Sequence, residues 1–254
     1  MSDRKPGLIR RFFGAIWNTV NFARRLVFNL IFLAIVVAIF AGLMARTPVL
    51  QSGTALVLDL QGDARALLSA ERTALNFMQM MSAVATKTHA YMQAVQGTRA
   101  QVVDTRKTLP GLRVAQKYAV KMGGGTNHRM GLHDAVLIKE NHIAAAGGVT
   151  QVLKAAAAMA SAASFVEIEV ETLDQLTEAL NAGATMVLLD NMSLATLREA
   201  VRINAGRAIL EISGGVTLDG LAELAETGVD RISTGALTKD VKATDFSMRM
   251  ESLT

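Results

Sequence analysis

Six stretches of this chain set chemically capable residues at the ends of short β-branched runs. They are Asp104-Thr-Arg-Lys-Thr108, Lys139-Glu-Asn-His142, Glu169, Asp190-Asn191, Ser213-Gly-Gly215 and Thr234-Gly-Ala-Leu-Thr238. Arg106, Lys107, His128, Arg129 and Lys139 bring five potential cations within 34 residues. Arginine forks suit bidentate contact with carboxylates, and lysines supply point charges for phosphates. Glu167, Glu169 and Glu171 alternate on one face of a strand, and Asp190 ends the next one. Carboxylates converging from neighbouring strands can hold Mg²⁺, with waters and ligand oxygens completing its sphere. The glycine pairs after the late strands, each followed by a helix start, form a phosphate cradle. A ligand with several carboxylates and phosphates, bridged by Mg²⁺, would satisfy all of these groups.

Each feature alone has a plainer reading. Arg106-Lys107 would be a solvated loop, alternating glutamates an exposed strand face, and Ser213-Gly-Gly215 a turn. Gly123-Gly-Gly125 reads as a hinge, His89 as a surface residue and His133 as structural. Four histidines without HxxxH or HExxH spacing argue against zinc.

The elements between these features decide the matter. Strands are expected at Gln101–Asp104, Ala135–Ile138, Phe165–Val170, Met186–Leu189, Ala208–Ile212 and Arg231–Thr234. Helices are expected at Arg113–Lys121, Val149–Ala160, Leu173–Asn181, Leu194–Ile203 and Leu218–Glu226, and an earlier one at Glu71–Val95 with Ser69 as its N-cap. Six βα repeats with short connections predict an α/β fold, a (β/α) barrel of six or seven parallel strands. In such a barrel the carboxyl ends of the strands form the active-site mouth. Six reactive clusters in that one register make a site.

The remaining sequence differs in kind. There are no cysteines, which excludes disulfides and thiolate chemistry. Of the net charge of +4, residues 1–25 hold +5 and the rest −1. With the basic excess confined there, no nucleic-acid partner is expected. Leu26–Ala45 is twenty residues without a formal charge, long enough at about 1.5 Å per residue to cross a bilayer. Residues 1–25 read as a basic amphipathic segment, 26–45 as a single transmembrane helix, and 46–62 as a linker with a strand at Ala55–Leu60. The barrel domain would then be residues 63–254. Positive charge before the span predicts an inner-membrane protein with its N-terminus inside.

Two resemblances follow. Gly7 through Thr54-Ala-Leu-Val-Leu-Asp-Leu-Gln-Gly62 resembles the anchor of the signal peptide peptidase A family (protease IV), without any of its peptidase site. Glu71-Arg-Thr-Ala-Leu-Asn76, Asp104-Thr-Arg-Lys-Thr-Leu-Pro-Gly-Leu-Arg113, Gly123-Gly-Gly-Thr-Asn-His-Arg-Met-Gly-Leu132, Leu137-Ile-Lys-Glu-Asn-His142, Leu188-Leu-Asp-Asn191 and Ser213-Gly-Gly215 resemble the quinolinate phosphoribosyltransferases, in order and spacing. The chain reads as a fusion joined near Gln61-Gly62-Asp63, with the anchor standing where that family has a further α/β domain.

The second resemblance implies a glycosyltransferase of NAD biosynthesis. It would convert quinolinate and phosphoribosyl pyrophosphate, with Mg²⁺, into nicotinate mononucleotide, pyrophosphate and CO₂. It implies that Arg106, His128, Arg129 and Lys139 clamp the quinolinate carboxylates, that Thr105 is among the substrate-binding residues, and that Lys107 sits where quinolinate meets pyrophosphate. Glu169 and Asp190 would contact ribose hydroxyls and the metal, while Ser213, Gly214, Gly215, Gly235 and Lys239 would bind phosphate. Lys107, Lys139, Glu169 and Asp190 are the expected catalytic set, and Arg72 would serve a neighbouring subunit of a homodimer or higher oligomer. The family is cytoplasmic, whereas the charge rule puts residues after the anchor on the outer side. Two other readings stay open: a membrane-tethered barrel that binds phosphoribosyl ligands with little turnover, and a membrane protein of the peptidase-anchor type.

Overall fold

The computed structural model describes residues 58–158 and 163–250. The basic segment, the span expected at 26–45 and the first half of the strand expected at 55–60 lie outside those residues. Residues 58–60 are not in a strand. Among the described residues no helix is long and apolar enough to cross a membrane.

The chain divides into two compact units, Met1–Ala74 and Leu75–Thr254. The helix α1 (Ala64–Ala94) starts in the first unit and continues into the second, and begins seven residues before the expected Glu71. Asp63 is the residue that caps it, its Oδ1 accepting from Ala66 N at 3.0 Å. Ser69 has the right type for a cap but lies inside the helix, because the earlier carboxylate already satisfies an orphan amide.

The second unit holds the sheet. Its strands are β1 (Gln101–Val103), β2 (Val136–Ile138), β3 (Val166–Val170), β4 (Met186–Asp190), β5 (Ile209–Ser213) and β6 (Arg231–Ser233), each within a residue or so of expectation. The helices are α2 (Arg113–Met122), α3 (Glu140–Ala146), α4 (Val149–Ala157), α5 (Leu173–Asn181), α6 (Leu194–Asn204), α7 (Leu221–Ala225) and α8 (Ala236–Lys239). Two were not anticipated: α3 starts straight after Lys139, and α8 after Gly235. Side-chain caps start α5, where Thr172 accepts from Gln175 N, and α6, where Ser193 accepts from Thr196 N.

All pairings are parallel, in the order β1-β6-β5-β4-β3-β2. Each strand from β2 to β6 lies beside the next and β6 lies beside β1, an order that a barrel uses and a doubly wound sheet does not, with β1 and β2 at the two edges of the sheet. On the free edge of β1, Thr126 adds a parallel bridge to Val103. Thr126 lies outside the named strands, so the described sheet has six parallel strands.

Alternation sorts the side chains. Ile168, Val170, Val187, Leu189, Leu210, Ile212 and Ile232 are buried and meet Leu176, Leu197, Leu221 and Leu237 from the helices. Each such side chain contributes about 1.5–3 kcal/mol by leaving water. On the other face, the register aligns Glu169, Leu188, Glu211 and Arg231 in one row.

Gly123-Gly-Gly125 is no hinge. A Cβ on Gly123 would strike Ala85 O and come 2.7 Å from Thr88 Cβ, and one on Gly125 would lie 2.7 Å from Thr88 Cγ2. These glycines let α1 lie directly against the turn that leads to Thr126.

Candidate active site at the carboxyl ends of the strands

The loop after β1 carries Thr105, Arg106 and Lys107. Its turn is internally braced, with Lys107 N donating to Thr105 Oγ1 (3.0 Å) and Thr108 N to Arg106 O (2.9 Å). Arg113, the first residue of α2, donates to Thr108 Oγ1, Met130 O and Arg106 O, all at 3.1 Å. Arg106 and Lys107 therefore stay exposed on a held backbone.

Because β1 pairs with β6, this loop meets the one after β6. Thr238 Oγ1 donates to Lys107 O at 2.7 Å, and Gln116 Nε2 to Thr238 O at 2.8 Å. The Lys107 side chain lies across Gly235, where an added Cβ would meet its Cδ at 3.0 Å. Lys239 is exposed at the end of α8.

Beneath the loop, Asp104 is fully buried and accepts from Lys117 Nζ, from Asn127 Nδ2 (2.7 Å) and from His128 N (2.8 Å). Lys117, also buried, donates to His128 O at 2.9 Å. Burial pushes the Lys117 ammonium below the usual lysine value, and the bond to Asp104 opposes that shift. The pair ties the Asn127-His128 segment to β1 and α2.

His128 does not stand open at the mouth. Its ring is buried, with Nε2 2.9 Å from Glu167 Oε2 and 3.6 Å from Glu211 Oε1, and Nδ1 accepts from Arg129 N at 2.7 Å. Glu211 Oε2 is 2.8 Å from Arg231 Nε. Burial, more than any charge, raises Glu167 to about 7, and the same holds for Glu211, where Glu167 adds to the effect. Burial also lowers His128, keeping it neutral. Among the described residues, His128, Glu167 and Glu211 are the three metal-type ligands that converge. Arg231 already supplies a cation there.

Above this floor, Arg129 is buried, with burial first and then the Arg106 charge lowering its guanidinium from the usual arginine value. Lys139 directly follows β2, at the start of α3, and pairs with Glu169 Oε2 at 2.6 Å. Glu169 is thus at the mouth, one step up β3 from Glu167. Glu171 lies beyond the strand and is exposed, so the three glutamates do not act as one set. Asp190 ends β4 beside Ser213 of β5 and accepts from Asn191 Nδ2 at 2.7 Å. Gly214 has φ +103°, and a Cβ on it would enter the Asn191 side-chain amide; Gly215 follows at φ +56°. Arg72 is exposed on α1 in the first unit.

Thr105, Arg106, Lys107, Arg129, Lys139, Glu169, Asp190, Ser213, Gly214, Gly215, Gly235 and Lys239 therefore all stand on segments leaving one end of the sheet. Sequence reasoning passed over Lys117, Glu211 and Arg231, and placed Asp104 in the first cluster without giving it a partner. Two signals were available: Glu211 interrupts the apolar run Ile209-Leu-Glu-Ile212, and Arg231 opens a strand otherwise buried.

Residues 84–249 match the family model described as quinolinate phosphoribosyl transferase, C-terminal domain. The chain is 48% identical over 202 residues to the nicotinate-nucleotide pyrophosphorylase (carboxylating) of Mycobacterium leprae (strain TN), covering 78% of this chain and 70% of that protein. It is 44% identical over 192 residues to the probable nicotinate-nucleotide pyrophosphorylase (carboxylating) of Bacillus subtilis (strain 168), covering 76% and 66%. Among solved structures, NadC from Streptococcus pyogenes superposes with a TM-score of 0.72 at 44% identity, over 74% of this chain and 66% of that one. The chain spans about two thirds of the length of these proteins. The matched family segment holds every strand of the sheet and every loop of the mouth. By that match and by the identity to its relatives, the chain belongs to the quinolinate phosphoribosyltransferase family.

Proposed function

We propose that this chain transfers a phosphoribosyl group to quinolinate, giving nicotinate mononucleotide, pyrophosphate and CO₂. The observation that carries the reading is the convergence of Arg106, Arg129 and Lys139 with the Ser213-Gly214-Gly215 cradle at one end of one sheet. Three cations suit a dicarboxylate, and strained glycines with free backbone approach suit a phosphate. In the reaction the ring nitrogen attacks ribose C1 while the C1–O bond electrons leave with pyrophosphate. The ring carboxylate beside that nitrogen then leaves as CO₂, its bond electrons staying on the ring until a proton replaces it. Lys107, held across Gly235, is placed to stabilise the departing pyrophosphate, and positioning supplies much of the rest.

Glu169 and Asp190 would hold Mg²⁺. They are hard oxygen donors at the ends of adjacent strands, neither fully buried, which fits an ion that keeps waters and phosphate oxygens. The bound ion would neutralise pyrophosphate charge. Thr105, Lys239 and Gly235 complete the phosphate and ribose contacts, and Arg72 serves the site of a second subunit in a homodimer or larger oligomer.

The assay is formation of nicotinate mononucleotide from quinolinate, phosphoribosyl pyrophosphate and Mg²⁺ by the full chain. Quinolinate-dependent product supports the reading; absence of both product and quinolinate binding refutes it. Binding without product would favour the tethered, weakly active barrel. Residues 26–45, by their uncharged length after a basic segment, serve as a single inner-membrane anchor like that of the signal peptide peptidase A family. Reporter fusions after residue 60 test it, and activity only of a cytoplasmic reporter would overturn the orientation.

A further inference from the structure

We propose that Glu211, with Arg231 and Glu167, is a positioning residue for quinolinate recognition, acting through His128 to fix Arg129; this rests on the reading of the mouth given above. The geometry is a relay of contacts from floor to mouth. Arg231 Nε is 2.8 Å from Glu211 Oε2, while Glu211 Oε1 and Glu167 Oε2 lie 3.6 and 2.9 Å from His128 Nε2. The Arg231 guanidinium also sits 5.9 Å over the ring of Phe165, which meets the His128 ring edge-on at 5.2 Å. On its other side the imidazole accepts the Arg129 amide proton at Nδ1. The ring proton is therefore on Nε2 and is donated to Glu167. One imidazole joins the buried carboxylates to the backbone from which Arg129 extends.

Filling the barrel does not require these charges. Leu188 occupies the same row as Glu211 and is buried, so this layer accepts an apolar side chain. Two buried carboxylates beside one guanidinium are costly, and apolar residues of similar volume are commonly neutral or better for stability. What an apolar set cannot do is hold an imidazole in one tautomer and one orientation. Turned otherwise, the ring would release the Arg129 amide, and with it the register of that arginine at the mouth. Glu211 and Arg231 come from adjacent strands β5 and β6 and Glu167 from β3, so Glu167 holds the His128 Nε2 proton while the Glu211–Arg231 pair sets the charge beside it.

The test is calorimetric titration of the full chain with quinolinate alone, and separately with phosphoribosyl pyrophosphate and Mg²⁺. Quinolinate binding by the unsubstituted chain keeps the reading of the mouth; its absence there defeats that reading before any variant is compared. Glu211→Gln preserves shape and removes the charge. It should weaken quinolinate roughly tenfold, the scale of supporting contacts at other sites, and leave phosphoribosyl pyrophosphate within about twofold. A merely structural role would lower both affinities together with the melting temperature. Arg231→Lys keeps the charge but loses the planar fork, and should show the same selective loss to a smaller degree. It also decides the matter if Glu211→Gln does not fold. Unchanged quinolinate affinity in a folded variant, or parallel loss of both ligands, overturns the proposal.

Discussion

Replacing Lys117 by methionine keeps the length of the side chain and deletes its charge. In the native chain both Lys117 and Asp104 are essentially out of contact with water. The substitution leaves Asp104 with two donors, Asn127 Nδ2 and His128 N, but no countercharge, and leaves His128 O without the Lys117 ammonium. Removing one partner of a buried pair costs about 3–5 kcal/mol, and the two remaining donors argue for a value near the middle, about 4 kcal/mol. For a unit of this size that lowers Tm by roughly 8–16 °C. Urea unfolding at pH 7, followed by circular dichroism, measures it. Adding Asp104→Asn removes the stranded charge yet retains an acceptor, so the double variant should recover about half the loss. A single-variant loss under about 1 kcal/mol, or a double variant no more stable than the single, would refute the assignment of an uncompensated charge as the cause.

Arg106→Ala and Lys139→Ala should each weaken quinolinate by about 2–5 kcal/mol, because a substrate carboxylate loses its partner in a partly desolvated mouth. Lys139 is 43% exposed on its side chain, so its loss should cost the fold less than about 1 kcal/mol; calorimetry and melting together check both. Gly214→Ala forces a side chain into φ +103° and against Asn191, which should cost about 1–3 kcal/mol and weaken phosphoribosyl pyrophosphate without changing quinolinate affinity. Glu211 in the folded chain holds its proton to about 7, whereas the unfolded chain releases it near the ordinary glutamate value. Its contribution is complete below that ordinary value and is lost as pH rises to 7. The stability of Glu211→Gln relative to the native chain should therefore climb by about 3 kcal/mol between pH 4 and 7.5, and a flat difference in urea unfolding would contradict the shift.

The strands were legible because each is a short, largely apolar or alternating run bounded by polar residues, as in Val136-Leu-Ile138 before Lys139. The mouth was legible because the loops carry its chemistry and the loops sit in register. What escaped were the groups whose meaning depends on pairing across the sheet. Glu167 and Glu169 look alike in sequence, yet one strand step separates a buried partner of His128 from a mouth residue paired with Lys139. Lys117 shares α2 with exposed Tyr118, and no local pattern reveals that Asp104 waits beneath it. The start of α1 was misread for the opposite reason: Ser69 satisfies a local rule that Asp63 had already fulfilled.

The return of β6 to β1 has a consequence for how the molecule is made. The contact from Thr238 Oγ1 to Lys107 O joins residues 131 positions apart, and the β1 ladder pairs with strand residues equally remote. On a ribosome, β1 emerges long before β6; Thr126 can bridge one of its edges early, but the edge that β6 will take must wait unpaired, exposed to any other extended segment. Closing so long a loop is entropically demanding and makes such topologies slow to fold. Lys107 gains its place over Gly235 only at that last step. Nascent chains ending before residue 231 should therefore collapse around β2 to β5 and be the species that chaperones hold, while competence at the mouth arrives late and all at once.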